Sequence, residues 1–168
     1  LVVIAMSFKI AIVPFHMWTP DVYTGAPTPV TGFLSAAAKA AGFAVFVRVL
    51  LTGMPLEGEK WENVFWILAV LSMTVGNLMA LRQSEVKRML AFSSIAHAGY
   101  VLVAVVVGNI SAISGVIFYS FAYAVMGTGA FGILTMKDAG RIPQTYDDLA
   151  GYGRRNPFQA LMMTLFMF

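Results

Sequence analysis

The sequence carries very little charge for its length. Only 11% of its 168 residues are Asp, Glu, Lys or Arg, whereas 59% are hydrophobic, and the mean hydropathy is +0.78. A soluble domain of this size does not need such a composition. The formal net charge of +3 is too small and too dispersed to indicate a nucleic-acid partner. The composition therefore predicts a membrane protein.

Cysteine is absent. The chain thus offers no disulfide framework, no thiolate zinc site and no cysteine-ligated iron–sulfur cluster. Its two histidines, His16 and His97, lie on different segments. We therefore expect no redox centre in this chain, so that any electron transfer takes place in partner proteins.

The two ends of the sequence have the character of interrupted membrane segments. The chain begins at Leu1 without an initiator Met or a basic stretch, and it stops at Phe168 within an apolar run. We expect a fragment of a longer protein, cut through a span at each end.

Several apolar segments approach the length of about 20 residues that a helix needs to cross the bilayer. They predict a single membrane domain over residues 1–168, an all-α polytopic helix bundle. Pro14 follows Lys9 closely and would free a backbone carbonyl, which predicts a discontinuous helix near Lys9–Pro14. The simpler alternative is that Pro14 begins the exit from the membrane. The expected spans are residues 1–18 (broken), 27–51, 64–81, 86–107, 110–136 and 157–168 (cut).

Loop charge predicts the orientation, because Lys and Arg are retained on the cytoplasmic side. One basic connection holds Arg82, Lys87 and Arg88. A second, two spans later, holds Lys137, Arg141, Arg154 and Arg155, whereas the connection before Val64 carries Glu57, Glu59 and Glu62 against Lys60. The two basic connections are therefore expected on the cytoplasmic side, together with the link from His16 to Pro27.

Two polar stretches join these spans. Four of the seven prolines, Pro14, Pro20, Pro27 and Pro29, cluster about the His16 to Pro27 link, which predicts a stiff, extended bracket with Thr24 or Thr28 capping the next helix. For residues 137–156 a short interfacial helix and a solvated loop are equally compatible with the sequence.

Two lysines lie inside apolar segments, where an ammonium group is costly and usually marks a water-lined path or a proton relay. Lys39 lies near the middle of its segment among small residues, too far from either surface to snorkel. A lysine buried there can release and regain a proton near neutral pH. For Lys9 the alternative is that its side chain snorkels, with the ammonium group reaching the membrane surface. If its helix were unbroken, Lys9 and His16 would lie on the same helix face.

His97 belongs to a third polar group. Ser93, Ser94, His97 and Tyr100 are spaced to share one face of a helix, and an imidazole can accept a proton on one nitrogen while it donates from the other. Tyr119 and Tyr123, one turn apart in the next segment, could extend this polar line. The alternatives without a proton relay are purely structural. His97 would then hydrogen-bond a serine to hold two helices together, and Tyr119 and Tyr123 would only pack against neighbouring aromatic residues.

Several strings resemble one family of membrane proteins. They are Phe8-Lys9, residues 13–23 (VPFHMWTPDVY), residues 25–30 (GAPTPV), residues 77–80 (NLMA), residues 88–100 (RMLAFSSIAHAGY) and residues 148–151 (DLAG). Together they resemble the antiporter-like membrane-arm subunits of respiratory complex I, NADH:quinone oxidoreductase. Within that family the chain is most similar to the N subunit, the counterpart of mitochondrial subunit 2.

The resemblance implies two inverted five-helix repeats, each with a discontinuous helix, and a proton pathway along a central polar axis. By position, Lys9 corresponds to the lysine on the first broken helix, Lys39 to the lysine on the following helix and His97 to the histidine of the second repeat. The glutamate partner of the first lysine and the second broken-helix lysine fall outside this chain.

The resemblance also implies what surrounds the chain. NADH, FMN, iron–sulfur clusters and quinone would be bound by partner subunits, and this chain would lie among other membrane-arm subunits in a bacterial inner membrane or, alternatively, an organellar energy-transducing membrane. A subunit of a multisubunit cation/proton antiporter or of a membrane-bound hydrogenase fits the same architecture. A passive membrane scaffold remains the alternative from a different class.

Overall fold

The computed structural model describes residues 1–50, 59–136 and 144–168, with the side chains of residues 59–61 and 110 left out. These ranges are helical and contain no strand, as expected for an all-α protein. The helices are α1 (Val2–Ile10), α2 (Trp18–Gly25), α3 (Thr28–Phe33), a π-helical turn (Leu34–Ala38), α4 (Lys39–Arg48), α5 (Glu59–Leu81), α6 (Val86–Val107), α7 (Ile110–Leu134), α8 (Tyr152–Arg155) and α9 (Pro157–Met167).

Four helical stretches are long and apolar enough to cross a membrane. They cover Thr28–Arg48, Glu62–Leu81, Val86–Val107 and Ser111–Leu134 and contain 20 to 24 residues each. At about 1.5 Å per residue these lengths match the bilayer's hydrocarbon thickness of about 30 Å. The fold is thus a transmembrane helix bundle. The first of these stretches is continuous from α3 through the π-helical turn into α4.

The first helix is broken just before Pro14, as the position of this proline in the sequence predicts. α1 ends at Ile10, and Ala11 adopts a left-handed conformation with φ 61°. The Val13 amide, which has left the helix, donates to Ser72 Oγ of α5 at 3.0 Å, and that hydroxyl donates to the Leu68 carbonyl at 2.7 Å. Peptide groups in an apolar bundle need such partners, so the break is stabilised by α5. The predicted discontinuous helix is confirmed.

The proline-rich link was expected to be extended, and this prediction is wrong. The structure places α2 there, because Pro20 is the third residue of that helix, where a backbone N–H has no intrahelical partner to lose. The expected threonine cap is also wrong. α3 has no side-chain cap, and Thr24 Oγ1 donates instead to the Pro20 carbonyl at 2.7 Å.

Three connections meet at one end of the bundle: the link from His16 to Pro27, the connection between α5 and α6, and the stretch that begins at Gln144. Arg88 pairs with Asp21 at 2.8 Å, and Lys87 Nζ donates to the Ala26 carbonyl at 2.7 Å. Glu85 forms an antiparallel bridge with Thr145. This is the grouping that loop charge predicts, and the assignment of that end to the cytoplasm stays a prediction. Glu57, Lys137 and Arg141 and the side chains of Glu59 and Lys60 lie outside the described residues.

The stretch after Gln144 combines the two forms that the sequence left open. Residues 146–150 form turns, and α8 is a single helical turn. Tyr152 at the start of α8 is buried, and its hydroxyl donates to Gln159 Oε1 of α9. This contact ties α8 to α9.

Helices α5 and α6 pack closely through glycine. A Cβ added to Gly76 would lie 2.6 Å from the Ala96 amide nitrogen, and one added to Gly99 would lie 2.9 Å from the Ala69 carbonyl oxygen. Small residues allow backbones to approach in this way, which is how helices associate in a membrane. The two helices therefore form the tightest pair of the described bundle.

We predict that Gly76→Ala destabilises the protein, because its methyl group would overlap backbone atoms of α6. Overpacking of this kind costs about 1–3 kcal/mol. Gly115→Ala on α7 is the matched control, since nothing lies within 4 Å of its added Cβ, and alanine there should be neutral or stabilising. Thermal unfolding of the complete subunit in detergent measures both variants, and equal midpoints would contradict the close packing.

The bridge between Glu85 and Thr145 predicts that cysteines at these two positions can be cross-linked. Bridge partners have Cα atoms about 4.5–5.5 Å apart, within the range of about 4.4–6.8 Å that a disulfide spans. Glu85→Cys with Thr145→Cys should therefore oxidise to an intramolecular disulfide. Thr145→Cys with Asn109→Cys, which places the second thiol at the start of α7, should not. A cross-link in the second pair but not in the first would contradict the arrangement.

Candidate functional site

Lys39 lies at the centre of the described bundle. It follows the π-helical turn as the first residue of α4, and its side chain is 5% exposed. Its ammonium group donates to Ser94 Oγ at 3.0 Å and to the Ser94 carbonyl oxygen of α6. Both partners are neutral oxygens. The charge is thus hydrogen-bonded, but these bonds do not neutralise it.

Ser94 is the junction of this contact. Its hydroxyl accepts from Lys39 and donates to the Ala91 carbonyl at 2.8 Å, and its side chain also interacts with Tyr23 and Tyr123. A hydroxyl has one proton and two lone pairs, so it can serve several partners at once. Ser94 therefore connects α4 with polar groups of α2 and α7.

A small cavity of about 10 Å³ lies beside the Lys39 side chain. A water needs a cavity of about 10–15 Å³ on this measure, so the space matches a single molecule. Ser120 Oγ is buried in the wall of the cavity and has no hydrogen-bond partner among the described residues. The polar lining consists of Lys39, Ser94, His97, Tyr119, Ser120 and Tyr123.

His97 forms part of the same wall. Its Nδ1 lies 2.6 Å from the Tyr119 hydroxyl of α7, and its ring stacks edge-on against Tyr100 at 5.5 Å and tilted against Tyr123 at 4.8 Å. Three aromatic rings therefore hold the imidazole in place. One ring nitrogen is bonded to a phenol, and the other can exchange a proton.

A second cavity, of about 40 Å³, also reaches His97. Its lining includes Ser93, Tyr123, Gly127 and, from α9, Phe166. The imidazole thus borders both cavities, with Lys39 on the first and Ser93 on the second. Its position suits a group that passes a proton between two compartments.

Lys9 and His16 do not join this cluster. Lys9 is exposed on α1, with its stem beside α4, where a Cβ added to Gly42 would lie 3.7 Å from Lys9 Cγ. The shared helix face of Lys9 and His16 does not form, because α1 ends at Ile10. His16 is half-buried, and its Nδ1 has no partner among the described residues.

Two serines of structural importance were not evident from the sequence. Ser120 lines the Lys39 cavity, and Ser72 holds the broken helix. Ser120 follows Tyr119 directly, and its position one residue after a candidate tyrosine was the available signal. Ser72 had no signal, because its partner is an amide 59 positions away.

Metal binding finds no support in residues 1–50, 59–136 and 144–168. Within these ranges no group of three or more His, Cys, Asp or Glu side chains is placed to hold an ion. The polar chemistry of the described site is that of amine, imidazole, hydroxyl and phenol groups.

Comparison with known proteins gives a consistent family. Residues 1–168 match the family described as "NADH:quinone oxidoreductase/Mrp antiporter, TM". The chain is 54% identical over 162 residues to NADH-quinone oxidoreductase subunit N of Trichlorobacter lovleyi, which covers 96% of this chain and 33% of that protein. It is 41% identical over 172 residues to subunit N of Mycobacterium bovis, covering 99% and 32%. The chain thus spans about a third of the length of these relatives.

Solved structures share the fold. Respiratory complex I from Thermus thermophilus with bound aureothin has a chain that matches with a TM-score of 0.76 at 41% identity, covering 93% of this chain and 33% of that one. The membrane-bound sulfane sulfur reductase, an archaeal respiratory membrane complex, matches with a TM-score of 0.86 at 28% identity, covering 96% and 33%. The Mrp complex of Dietzia, at 22% identity and a TM-score of 0.72 over 79% of this chain and 24% of that one, supports the fold alone.

The burial of Lys39 predicts that this residue does not stabilise the fold. Removing a buried charge relieves its desolvation cost, and an apolar side chain of similar length fills the space. Lys39→Met should therefore leave the unfolding midpoint of the subunit unchanged or raise it. Phe46→Ala, in the buried core, should lower stability by about 3–5 kcal/mol and thus shows that the assay detects packing. If the unfolding midpoint of Lys39→Met were as low as that of Phe46→Ala, the prediction would be wrong and Lys39 would be needed for the stability of the fold.

Proposed function

Because this chain belongs to the family of NADH:quinone oxidoreductase and Mrp antiporter membrane subunits, we propose that it is the proton-conducting part of an NADH:quinone oxidoreductase membrane subunit. It moves protons through a buried lysine and a histidine. Electron transfer takes place in partner subunits, which hold NADH, FMN, iron–sulfur clusters and quinone. The curated relatives named as subunit N, at 41–54% identity, support this assignment over the other members of the family.

The observation that carries the proposal is the cavity shared by Lys39 and His97. A protonated Lys39 gives a proton to a water in this cavity, and that water passes one to His97. Ser94 holds the lysine nitrogen in place in both protonation states, because its hydroxyl can accept from an ammonium or donate to an amine. Ser120 Oγ gives the water a further partner.

His97 then releases a proton toward the second cavity, where Ser93 lies. Tyr119 stabilises the orientation of the ring through its bond to Nδ1. Tyr123 lines both cavities. The proposed relay thus runs from the cavity beside Lys39, through His97, to the cavity beside Ser93.

Lys9 belongs to an earlier step in this proposal. It borders α4 near Gly42, on the same helix as Lys39, and its ammonium group is available to a partner outside this chain. His16, at the end of the broken helix, is a second candidate for that step. The surrounding membrane-arm subunits and a bacterial inner membrane complete the proposed setting.

A subunit of a cation/proton antiporter or of a membrane-bound hydrogenase shares the architecture, but no described contact favours either. A passive membrane scaffold, whose lysines only pair with acids outside this chain, is the alternative from a different class. The neutral partners that Lys39 has within the described residues are compatible with a proton carrier.

Substitution of the lysines tests the proposal in the intact complex. Lys39→Ala should slow proton transfer through this subunit by at least about tenfold, since a positioned proton-transfer group contributes about 10²–10⁴-fold. Lys9→Ala should also reduce it. Lys39→Arg should not restore it fully, because a guanidinium keeps its proton at any physiological pH. The measurement is the pH gradient formed per electron pair by reconstituted complexes.

Arg48→Ala is the matched control, since it removes an exposed cation from the other end of α4. It should pump normally. Normal pumping by both lysine-to-alanine variants would end the relay proposal and favour the scaffold.

A further inference from the structure

The carboxyl end of α2 lies against the start of α6. The Thr24 carbonyl accepts from Lys87 Nζ at 3.1 Å, and the Ala26 carbonyl accepts from it at 2.7 Å. Carbonyl groups at this end of a helix have no intrahelical partner, and a cation stabilises them because the helix dipole is negative there. Since α2 has no basic residue in its own last turn, Lys87 of α6 supplies the cation.

Loop charge alone does not explain this contact. A lysine that only retains its connection on the cytoplasmic side needs no particular partner, whereas Lys87 is half-buried and donates to two backbone oxygens. The neighbouring Arg88 pairs with Asp21 of α2, but these side chains are 37% and 74% exposed, and exposed ion pairs contribute little. Of these two contacts with α2, that of Lys87 is therefore the stronger.

The residue just before Thr24 is Tyr23, which faces the Lys39 site. Its side chain is 2% exposed, and its hydroxyl is hydrogen-bonded to the side chain of Ser94, which also binds the Lys39 ammonium group. The Tyr23 ring packs edge-on against Phe131 at 6.2 Å. A shift of the end of α2 would thus move the phenol away from Ser94.

We propose that Lys87 is a positioning residue for the Lys39 site. By binding the carboxyl end of α2, it keeps the Tyr23 hydroxyl on Ser94, and Tyr23 thereby helps to hold the Ser94 side chain that binds Lys39. Lys87 itself transfers no proton in this role. The role rests on the proposed function, since it affects proton movement only if Lys39 carries protons.

A polar cavity beside Lys87 allows this residue to be replaced. Its volume is about 390 Å³, and both Lys87 and Thr24 contribute to its lining. One water needs only about 10–15 Å³ on this measure, so water can reach the freed carbonyl groups when the ammonium group is removed. Lys87→Met, which keeps most of the side-chain stem, should therefore assemble while the end of α2 loses its anchor.

Proton translocation by reconstituted complexes tests the role. Lys87→Met should lower its rate about two- to tenfold, the size of effect expected from one hydrogen bond. Tyr23→Phe, which removes only the hydroxyl, should lower the rate by a similar factor. Arg82→Met is the matched control, because it removes the same charge from an exposed position of the same basic connection, and it should pump normally.

The double variant separates positioning from a general structural role. If Lys87 acts through Tyr23, Lys87→Met combined with Tyr23→Phe should be no slower than the slower single variant, because residues that act as one unit have non-additive effects. Two losses that multiply would overturn the role. Normal pumping by Lys87→Met would also overturn it, and so would equal impairment of Arg82→Met.

A spectroscopic measurement gives an answer that does not depend on pumping. With fluorotyrosine placed at Tyr23 alone, the fluorine NMR signal of the complete subunit in detergent should shift in Lys87→Met and stay unchanged in Arg82→Met. An unchanged signal in Lys87→Met would overturn the positioning role and leave the proposed function standing. Normal pumping by Lys39→Ala would overturn the proposed function itself.

Discussion

An ammonium group buried among apolar helices needs oxygen partners, and the arrangement of the site around Lys39 follows from that constraint. Lys39 meets it with two oxygens of a single residue, Ser94. The contact joins the helix that follows the proline-rich link to the helix that carries His97. No carboxylate takes part in these bonds, so within the described residues Lys39 is held by neutral oxygens and not by an ion pair.

The hydrogen bond between Lys39 of α4 and Ser94 of α6 places the imidazole, one turn further along α6, at the same cavity as the lysine. Aromatic rings then fix its orientation, with Tyr119 on one nitrogen. The imidazole and the Tyr123 ring line both cavities. The described site is therefore a pair of small compartments that share two rings, with Lys39 in the lining of the first and Ser93 in the lining of the second.

Much of this could be predicted from the sequence, for identifiable reasons. Lys39 was evident because nothing else in its segment is charged until Arg48, and the broken helix because Pro14 interrupts an apolar run. The α2 helix was missed because four nearby prolines suggested an extended chain, although only Pro20 falls inside the helix. Lys9 lies in an apolar run of the sequence but is exposed in this chain, since burial depends on neighbouring helices that local sequence does not specify. The partnership of Lys39 with Ser94 spans 55 positions, and no local pattern reports a contact of that range.

The serine that holds the broken helix has a mechanical consequence. Ser72 fixes Val13 to α5, and glycine contacts lock α5 to α6 along their length. The helix break is therefore attached through α5 to α6, the helix that carries the imidazole. One hydroxyl thus anchors the non-helical segment to the same helix pair that positions the ring beside Lys39.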